Sequence, residues 1–320
     1  MKLGLFLTPG AARTAYQVGA VQALVEDGGL RFDVVAASSV GALNGAFTVT
    51  GQVNRLATLW SGWRNRDIFR TDLAALARGG VFWSPNLMHN RPQRRDVIDR
   101  YLSGVDLPPG VRFRINLANL TTGVDDVFEW PGSAIDLADG VDASVAVPGA
   151  IRPHDLDGMQ YADGLTVDGF PIERLLLGTG VERAFVVGVA PRTPRPDLPG
   201  GPLSTVLAAA EWNQHTEVTR GLARSTEINA RAEGWEAARR RALDAVETST
   251  ADPEARLRAR SRVETAFERH RHGRRRPVEI VPILPQSHTK MFFTTYRPER
   301  SRQLLAQGRR DALAVLERLT

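Results

Sequence analysis

Short apolar runs alternate with amphipathic stretches along the first part of the chain. The run Leu3–Leu7 predicts a buried strand, and residues 32–37 predict a second one. Between them, residues 12–26 follow a helical pattern that ends at the stop signal Asp27-Gly28-Gly29. An order of strand, helix and strand predicts parallel strands whose following loops gather at the carboxyl edge of one sheet.

The pattern continues along the chain and predicts an α/β fold. Strands are expected over residues 111–120, 124–130, 158–162, 184–189 and 277–284. Helices are expected over residues 53–63, 136–147, 171–177, 203–272 with a break near 248–253, and 299–319. Residues 69–109 mix glycines and prolines with short apolar pieces, which is typical of a cap or lid.

The chain shows no internal repeat and no low-complexity linker, so we expect one domain over residues 1–320. Within it we distinguish a core of about residues 1–190, a helical elaboration of about 203–272, and a closing strand and helix of about 277–320. Hydrophobic residues make up 42% of the 320 positions, which is enough to fill a substantial core.

Composition excludes several kinds of chemistry. The chain has no cysteine, which rules out disulfides, thiolate metal sites and cysteine nucleophiles. The apolar run near the N-terminus, Leu3–Leu7, is too short for a signal-peptide core or a membrane span. We therefore expect a cytoplasmic protein, with peripheral membrane contact as an alternative.

The net charge of +5 is concentrated in one region. Residues 220–276 contain 15 arginines and nine carboxylates. A solvated helical surface is the simpler interpretation, and peripheral contact with an anionic membrane is the functional one. We expect no nucleic-acid partner, and the sequence makes no prediction of the oligomeric state.

Ser39 stands where the second predicted strand meets a helix of small residues. Ala37 and Gly41 lie two positions before and after it, and small residues are needed there because strand and helix nearly collide at a nucleophile elbow. Ser38 fits less well, since Val40 follows it at that spacing. The pattern favours acyl transfer to Ser39, with a plain helix N-cap serine as the alternative.

Such chemistry needs donors for an oxyanion and a base for the serine. The loop after the first strand can supply backbone donors at a helix N-terminus, and a nearby arginine can add charge. The candidates for the oxyanion hole are Gly10, Ala11, Ala12 and Arg13.

Asp163 is the candidate base, because it follows a predicted strand and can face the same sheet edge. Asp163-Gly164 is also a common turn sequence. A conventional triad of serine, aspartate and histidine is the alternative. Its histidine would be His215, His270, His272 or His288.

Four blocks in this order resemble the patatin-like phospholipases in their short bacterial form. They are residues 13–19, the elbow at 39–45, the block Ala143-Ser144-Val145-Ala146-Val147-Pro148-Gly149, and Asp163-Gly164. The segments 170–189 and 277–320 also fit, so the resemblance covers nearly the whole chain.

The resemblance implies a three-layer α/β fold, with a mostly parallel central sheet, helices on both faces and a C-terminal helical elaboration. It also implies a lipid acyl hydrolase of the phospholipase A or esterase type, acting on a lipid or acyl ester without cofactor or metal. Ser39 would be the nucleophile, Asp163 the base in a dyad without histidine, and residues 10–13 the oxyanion hole. From the sequence itself, the region 69–109 is a candidate lid of the acyl pocket, and its aromatic and apolar residues belong either to that lid or to the ordinary core; they are Phe82, Trp83, Leu87 and Met88.

Three departures from the family pattern concern the same site. The glycine positions of the first loop hold Pro9, Ala11 and Thr14; Ala37 opens the elbow motif, and Leu165 follows Asp163-Gly164. Each adds bulk around the oxyanion site. Alternative hypotheses are therefore a catalytically impaired protein that binds a lipid or a partner, an esterase with a Ser-His-Asp triad, and acyl transfer to an acceptor other than water.

Overall fold

The computed structural model describes residues 1–71, 88–90, 92–148, 151–176, 179–191, 193, 202–249, 252–270, 277–287 and 295–319. Within these residues, eight strands form one mixed central sheet. They are β1 (Leu3–Leu7), β2 (Val34–Ala37), β5 (Arg112–Asn119), β6 (Val124–Trp130), β7 (His154–Leu156), β8 (Met159–Asp163), β9 (Arg183–Val187) and β10 (Glu279–Ile283). Two further strands, β3 (Phe69–Thr71) and β4 (Met88–Asn90), form a separate antiparallel pair.

The strand order across the sheet is β10-β9-β1-β2-β5-β8-β7, and β6 also pairs with β5. All pairings from β10 to β5 are parallel. The pairs β5–β6, β5–β8 and β7–β8 are antiparallel. The parallel part of the sheet contains β1 and β2, so the two loops that follow them lie side by side at its carboxyl edge.

Helices cover both faces of the sheet. In chain order they are α1 (Ala15–Gln22), α2 (Val40–Val49), α3 (Val53–Gly62), α4 (Asn65–Ile68), α5 (Pro92–Leu102), α6 (Leu137–Ser144), α7 (Ile172–Leu176), α8 (Pro202–Ser249), α9 (Pro253–His270) and α10 (Pro298–Leu316). A 3-10 turn, Ala11–Thr14, precedes α1, and a π-helical turn, Ala23–Asp27, extends it.

Two hydrophobic clusters separate the three layers. Leu5, Leu7 and Val35 pack into the larger cluster with α1, α2 and α10, whereas Phe6 and Val34 pack into the smaller one with α7 and α8. Alternate residues of a strand point to opposite faces, so the sheet contributes to both clusters. The predicted α/β class, with helices on both faces and a C-terminal helical region, is confirmed.

The helical region predicted over residues 203–272 consists of two helices, and they are separated near residues 248–253, where the break was predicted. Helix α8 ends at Ser249 and α9 begins at Pro253. The two form a hairpin in which the rings of Trp235 and Phe267 lie 5.0 Å apart. That residues 1–320 form a single domain remains a prediction.

The region interpreted as a cap contains the strands β3 and β4 and the helix α5, none of which the hydrophobic pattern predicted. Met88 belongs to β4. Phe82, Trp83 and Leu87 lie outside the described residues, as do most of the proline-rich residues 192–201.

Candidate active site

The turn between β2 and α2 places Ser39 in an unusual backbone conformation. Its φ is 56° and its ψ is −138°, values that a residue with a side chain rarely adopts and that cost about 1–3 kcal/mol. Ser39 occupies the N-cap position of α2, but its side chain makes no capping hydrogen bond. The interpretation of Ser39 as a plain N-cap serine is therefore wrong, and the strained strand-to-helix turn has the form expected for a nucleophile elbow.

Gly41 allows α2 to begin directly against the end of β1. A Cβ atom at Gly41 would lie 2.6 Å from the carbonyl oxygen of Leu7 and 2.9 Å from that of Thr8. Ala37, in contrast, is an ordinary buried residue of β2, so its methyl group is accommodated at the elbow.

Ser39 and Asp163 are in direct contact. The Ser39 hydroxyl donates to Oδ2 of Asp163 at 2.5 Å, and Oδ1 of Asp163 accepts the Leu165 N–H at 3.0 Å. Both side chains are buried, with 3% of Ser39 and 1% of Asp163 exposed. Burial raises the pKa of Asp163 to about 6, against the opposing effect of its two hydrogen bonds. Asp163 is therefore a stronger base than an exposed aspartate.

The block at residues 143–149 contacts both residues of this pair. The Ser144 hydroxyl lies 3.4 Å from the Ser39 carbonyl oxygen, to which it donates. The carbonyl oxygen of Ala146 accepts the Asp163 N–H at 3.0 Å. The block thus fixes the backbone on both sides of the contact; its last residue, Gly149, lies outside the described residues.

Gly164 brings the turn after β8 against β5. A Cβ atom at this position would lie 2.4 Å from Nδ2 of Asn116. That nitrogen donates to the Asp168 carbonyl oxygen at 3.2 Å, across the same turn. The glycine of the Asp163-Gly164 pair is therefore required by close packing beside the buried carboxylate.

The loop after β1 contains a residue with left-handed backbone angles, and that residue is an alanine where the family pattern has a glycine. Ala11 has a φ of 47°, and the 3-10 turn begins at this residue. The Arg13 N–H donates to the Gly10 carbonyl oxygen at 3.1 Å, which leaves Gly10, Ala11 and Ala12 as candidate backbone donors. The Arg13 side chain is buried, with 5% of the residue exposed.

Two buried amides beneath this loop were missed in the sequence. Gln17 donates to the Thr8 carbonyl oxygen at 2.7 Å, and Asn44 donates to the Thr14 carbonyl oxygen at 3.0 Å. Asn44 also donates to Oε1 of Gln17 at 3.0 Å. Both amides lie inside the blocks that carry the family resemblance, at residues 13–19 and 39–45. Their place in these blocks is the only feature of the sequence that could have indicated a functional role.

Of the four histidines of the alternative triad, only His215 has a described side chain, and it makes its contact elsewhere. Nδ1 of His215 lies 2.8 Å from the Pro191 carbonyl oxygen. His272 and His288 lie outside the described residues, and the His270 side chain is not described. The hydrogen bonds described for the Asp163 carboxylate come from Ser39 and from the Leu165 N–H.

Comparisons with known proteins show the family to which the chain belongs. A family model described as patatin-like phospholipase matches residues 5–176, a range that includes Ser39 and Asp163. An uncharacterized NTE family protein of Mycobacterium bovis and one of Mycobacterium tuberculosis are each 28% identical to this chain over 191 residues. The match covers 59% of this chain and 49% of each relative, so the chain spans about half the length of these curated relatives.

Two solved structures are similar at low sequence identity. VipD from Legionella pneumophila is 13% identical, with a TM-score of 0.45, and the match covers 99% of this chain and 67% of VipD. The type III effector protein ExoU is also 13% identical, with a TM-score of 0.38 and coverage of 99% and 53%. None of the described helices is both long enough and apolar enough to cross a membrane.

Proposed function

Because the chain belongs to the patatin-like phospholipase family, we propose that it is a lipid acyl hydrolase of the phospholipase A or esterase type. The observation that carries the proposal is the 2.5 Å contact between the strained Ser39 and the buried Asp163. Ser39 is the nucleophile and Asp163 is the general base. No other described side chain is required for proton transfer.

In the first half-reaction, Oγ of Ser39 attacks the carbonyl carbon of an acyl ester as its proton moves to Oδ2 of Asp163. The tetrahedral intermediate carries its negative charge on the former carbonyl oxygen. Its collapse breaks the bond to the alcohol, which leaves with the proton held by Asp163. The product of this step is an acyl ester of Ser39.

In the second half-reaction, water attacks the acyl-Ser39 carbonyl and gives a proton to Asp163. Collapse of the second intermediate returns that proton to Oγ of Ser39 and releases the fatty acid. An alcohol in place of water would give acyl transfer with the same proton movements. Asp163 begins each half-reaction as a carboxylate, which its pKa of about 6 allows at neutral pH.

The oxyanion is stabilised by backbone N–H groups of Gly10, Ala11 and Ala12 and by the N-terminus of α2. Arg13 adds positive charge to the same loop. The positive φ of Ala11 supports a loop that keeps its shape despite the missing glycine, and this favours an active enzyme over an impaired one. An ester that reaches Ser39 must displace the groups that now leave only 3% of it exposed.

The proposal is tested by labelling the protein with a fluorophosphonate probe and by measuring hydrolysis of p-nitrophenyl esters and phospholipids. Ser39→Ala and Asp163→Asn should both abolish labelling and turnover, and His215→Ala should retain them. A wild-type protein that neither labels nor hydrolyses, while it still binds lipid vesicles, would instead support the impaired, lipid-binding alternative. Activity that survives in Asp163→Asn would exclude the dyad.

We further propose that residues 271–276 bring the protein to anionic membranes. Between residues 220 and 270, eleven arginines face nine carboxylates, and several form ion pairs within the hairpin of α8 and α9. These pairs join Arg239 to Glu236, Arg256 and Arg260 to Glu247, and Arg258 to Glu254. The described hairpin therefore fits a solvated surface. Most of the excess positive charge of this region comes from Arg271, Arg274, Arg275 and Arg276, which are outside the described residues.

Vesicle sedimentation distinguishes membrane binding through residues 271–276 from a charged surface that is only solvated. Replacing Arg274, Arg275 and Arg276 by glutamine should weaken binding to anionic vesicles by about 1 kcal/mol for each arginine. The matched control replaces Arg256, Arg258 and Arg260, which are ion-paired, and should have a smaller effect. Equal losses in the two triple variants, or equal binding to neutral vesicles, would refute the membrane proposal.

A further inference from the structure

Two buried amides hold the loop of the oxyanion hole at both of its ends. Gln17 on α1 and Asn44 on α2 are 0% and 1% exposed. Gln17 reaches the carbonyl oxygen of Thr8, where the loop leaves β1, and Asn44 reaches that of Thr14, where the loop enters α1. The candidate donors at residues 10–12 lie between these two fixed points.

The hydrogen-bonding capacity of both amide nitrogens is fully used. Nε2 of Gln17 donates to Thr8 and also, at 3.1 Å, to the carbonyl oxygen of Val187 at the end of β9. Nδ2 of Asn44 donates to Thr14 and to Oε1 of Gln17. A buried network in which every donor is satisfied is rigid and specifies one arrangement of the groups that it joins.

The loop needs such support because its backbone is strained. Ala11 has a φ of 47°, and a non-glycine residue persists in that region only where its surroundings leave no alternative. The network joins this loop to α2, the helix whose N-cap residue is Ser39. Loop and nucleophile are thereby fixed to the same side chains.

We propose that Gln17 and Asn44 are positioning residues that set the oxyanion donors at the distance from Ser39 that the reaction requires. The inference rests on the proposed hydrolase function. Neither amide touches the substrate; each acts through the backbone of the loop. A donor displaced by about 1 Å loses most of its effect on the transition state, whereas binding of the ground state depends on it little.

Trp60 provides a matched control within the same network. Its indole N–H donates to Oδ1 of Asn44 at 3.0 Å, an atom that makes no bond to the loop, and the residue is fully buried. Trp60→Phe therefore removes a buried hydrogen bond of the network but leaves both bonds to the loop carbonyl oxygens in place. Gln17→Leu keeps the bulk of the side chain and removes its bonds to Thr8 and Val187, together with the oxygen that accepts from Asn44.

Kinetics with a p-nitrophenyl ester separate the two variants. Gln17→Leu should lower kcat about 100-fold with little change in KM, and Trp60→Phe should stay within about threefold of wild type. If Gln17→Leu does not fold, Asn44→Asp serves instead, because it keeps the acceptor for Trp60 and loses the donor to Thr14. Equal losses of kcat in the loop variant and in Trp60→Phe would overturn the proposal.

Hydrogen exchange tests the same inference without activity. The Arg13 N–H is bonded to Gly10 across the loop, so its exchange reports loop order. Gln17→Leu should speed exchange over residues 10–13 by about tenfold, while Trp60→Phe should leave it unchanged. Unchanged loop exchange in Gln17→Leu would refute the positioning role even if the wild type proved inactive on every ester, a result that would by itself refute only the hydrolase proposal.

Discussion

The hydroxyl of Ser39 lies 2.5 Å from Oδ2 of Asp163, although 124 positions separate the two residues. Ser39 follows β2 and Asp163 ends β8, and β5 lies between these strands in the sheet. Neighbouring strands are about 4.8 Å apart, so the two side chains meet across the middle of β5. The contact therefore depends on the register of three strands, in which Ala37 pairs with Ile115 and Leu117 with Asp163.

The first prediction concerns the pH dependence of the reaction. Asp163 must be ionised to accept the Ser39 proton, and burial raises its pKa to about 6. The rate kcat/KM for a p-nitrophenyl ester should therefore rise as the pH increases through about 6 and then level off. A rate that is already constant from pH 4.5 upwards would show that Asp163 does not titrate as a buried base.

The second prediction is that Asp163→Asn abolishes activity and stabilises the protein at neutral pH. The folded-state pKa of about 6 lies above the ordinary value of 3.8, so folding favours the protonated carboxyl group. Stability from this group is fully present below pH 3.8 and falls as the pH rises towards 6. Asparagine has no such loss, since its oxygen can accept the Leu165 N–H and its nitrogen can donate to Ser39.

Urea unfolding at several pH values measures this difference. Asp163→Asn should be more stable than wild type by about 3 kcal/mol at pH 7.5, and the two should be nearly equal near pH 3.5. Comparing the two proteins cancels the contribution of Asp125, whose pKa burial also raises to about 6. A variant that is less stable than wild type at pH 7.5 would contradict the prediction.

The third prediction separates two adjacent serines. The Ser38 hydroxyl is buried and has no hydrogen-bond partner among the described residues, whereas that of Ser39 is bonded to Asp163. An unsatisfied buried hydroxyl is unfavourable, so Ser38→Ala should raise the free energy of unfolding by about 1 kcal/mol and retain activity. Ser39→Ala should lose activity altogether. Unfolding and ester-hydrolysis assays on both variants measure these effects. A loss of activity in Ser38→Ala would contradict the prediction, because either serine could then be the nucleophile.

The parallel part of the sheet could be predicted because its strands are short, continuous apolar runs. Such runs predict β1, β2 and β9 and place the loops after β1 and β2 at one edge. The strands β3, β4 and β7 could not be predicted, since three residues are too few to show a period of two. The antiparallel pairing of β5 with β8 is likewise a property of the assembled sheet.

The site was predictable only in part. The small residues around Ser39 predict an elbow locally, but nothing local distinguishes Asp163-Gly164 from an ordinary turn. The role of Gln17 was hidden for a different reason. Helix α1 is buried on nearly all sides, so a polar residue in it breaks no amphipathic pattern, and its bonds to Thr8 and Val187 exist only in the folded chain.

The fourth prediction tests the strained loop. Ala11 has a φ of 47°, a conformation that glycine adopts without steric conflict. Ala11→Gly should therefore leave the loop in place and stabilise the protein by about 0.5–1 kcal/mol, with activity retained or increased. Ala11→Val, which adds a branched side chain in the same conformation, should destabilise it. Thermal unfolding of the two variants measures the effect, and a stability order of Val above Gly would show that the loop does not hold this conformation.

The fifth prediction concerns the contact between the elbow helix and β1. A methyl group at Gly41 would lie 2.6 Å from the Leu7 carbonyl oxygen, which cannot move without breaking the sheet. Gly41→Ala should therefore push α2 away from β1, lower the free energy of unfolding by about 2–3 kcal/mol and remove activity, because Ser39 moves with the helix.

Gly62→Ala is the matched control: Gly62 ends α3, and nothing lies within 4 Å of a Cβ atom there. This second substitution should be neutral or stabilising by up to about 1 kcal/mol. Equal effects of the two substitutions would mean that the close approach at Gly41 does not set the position of Ser39.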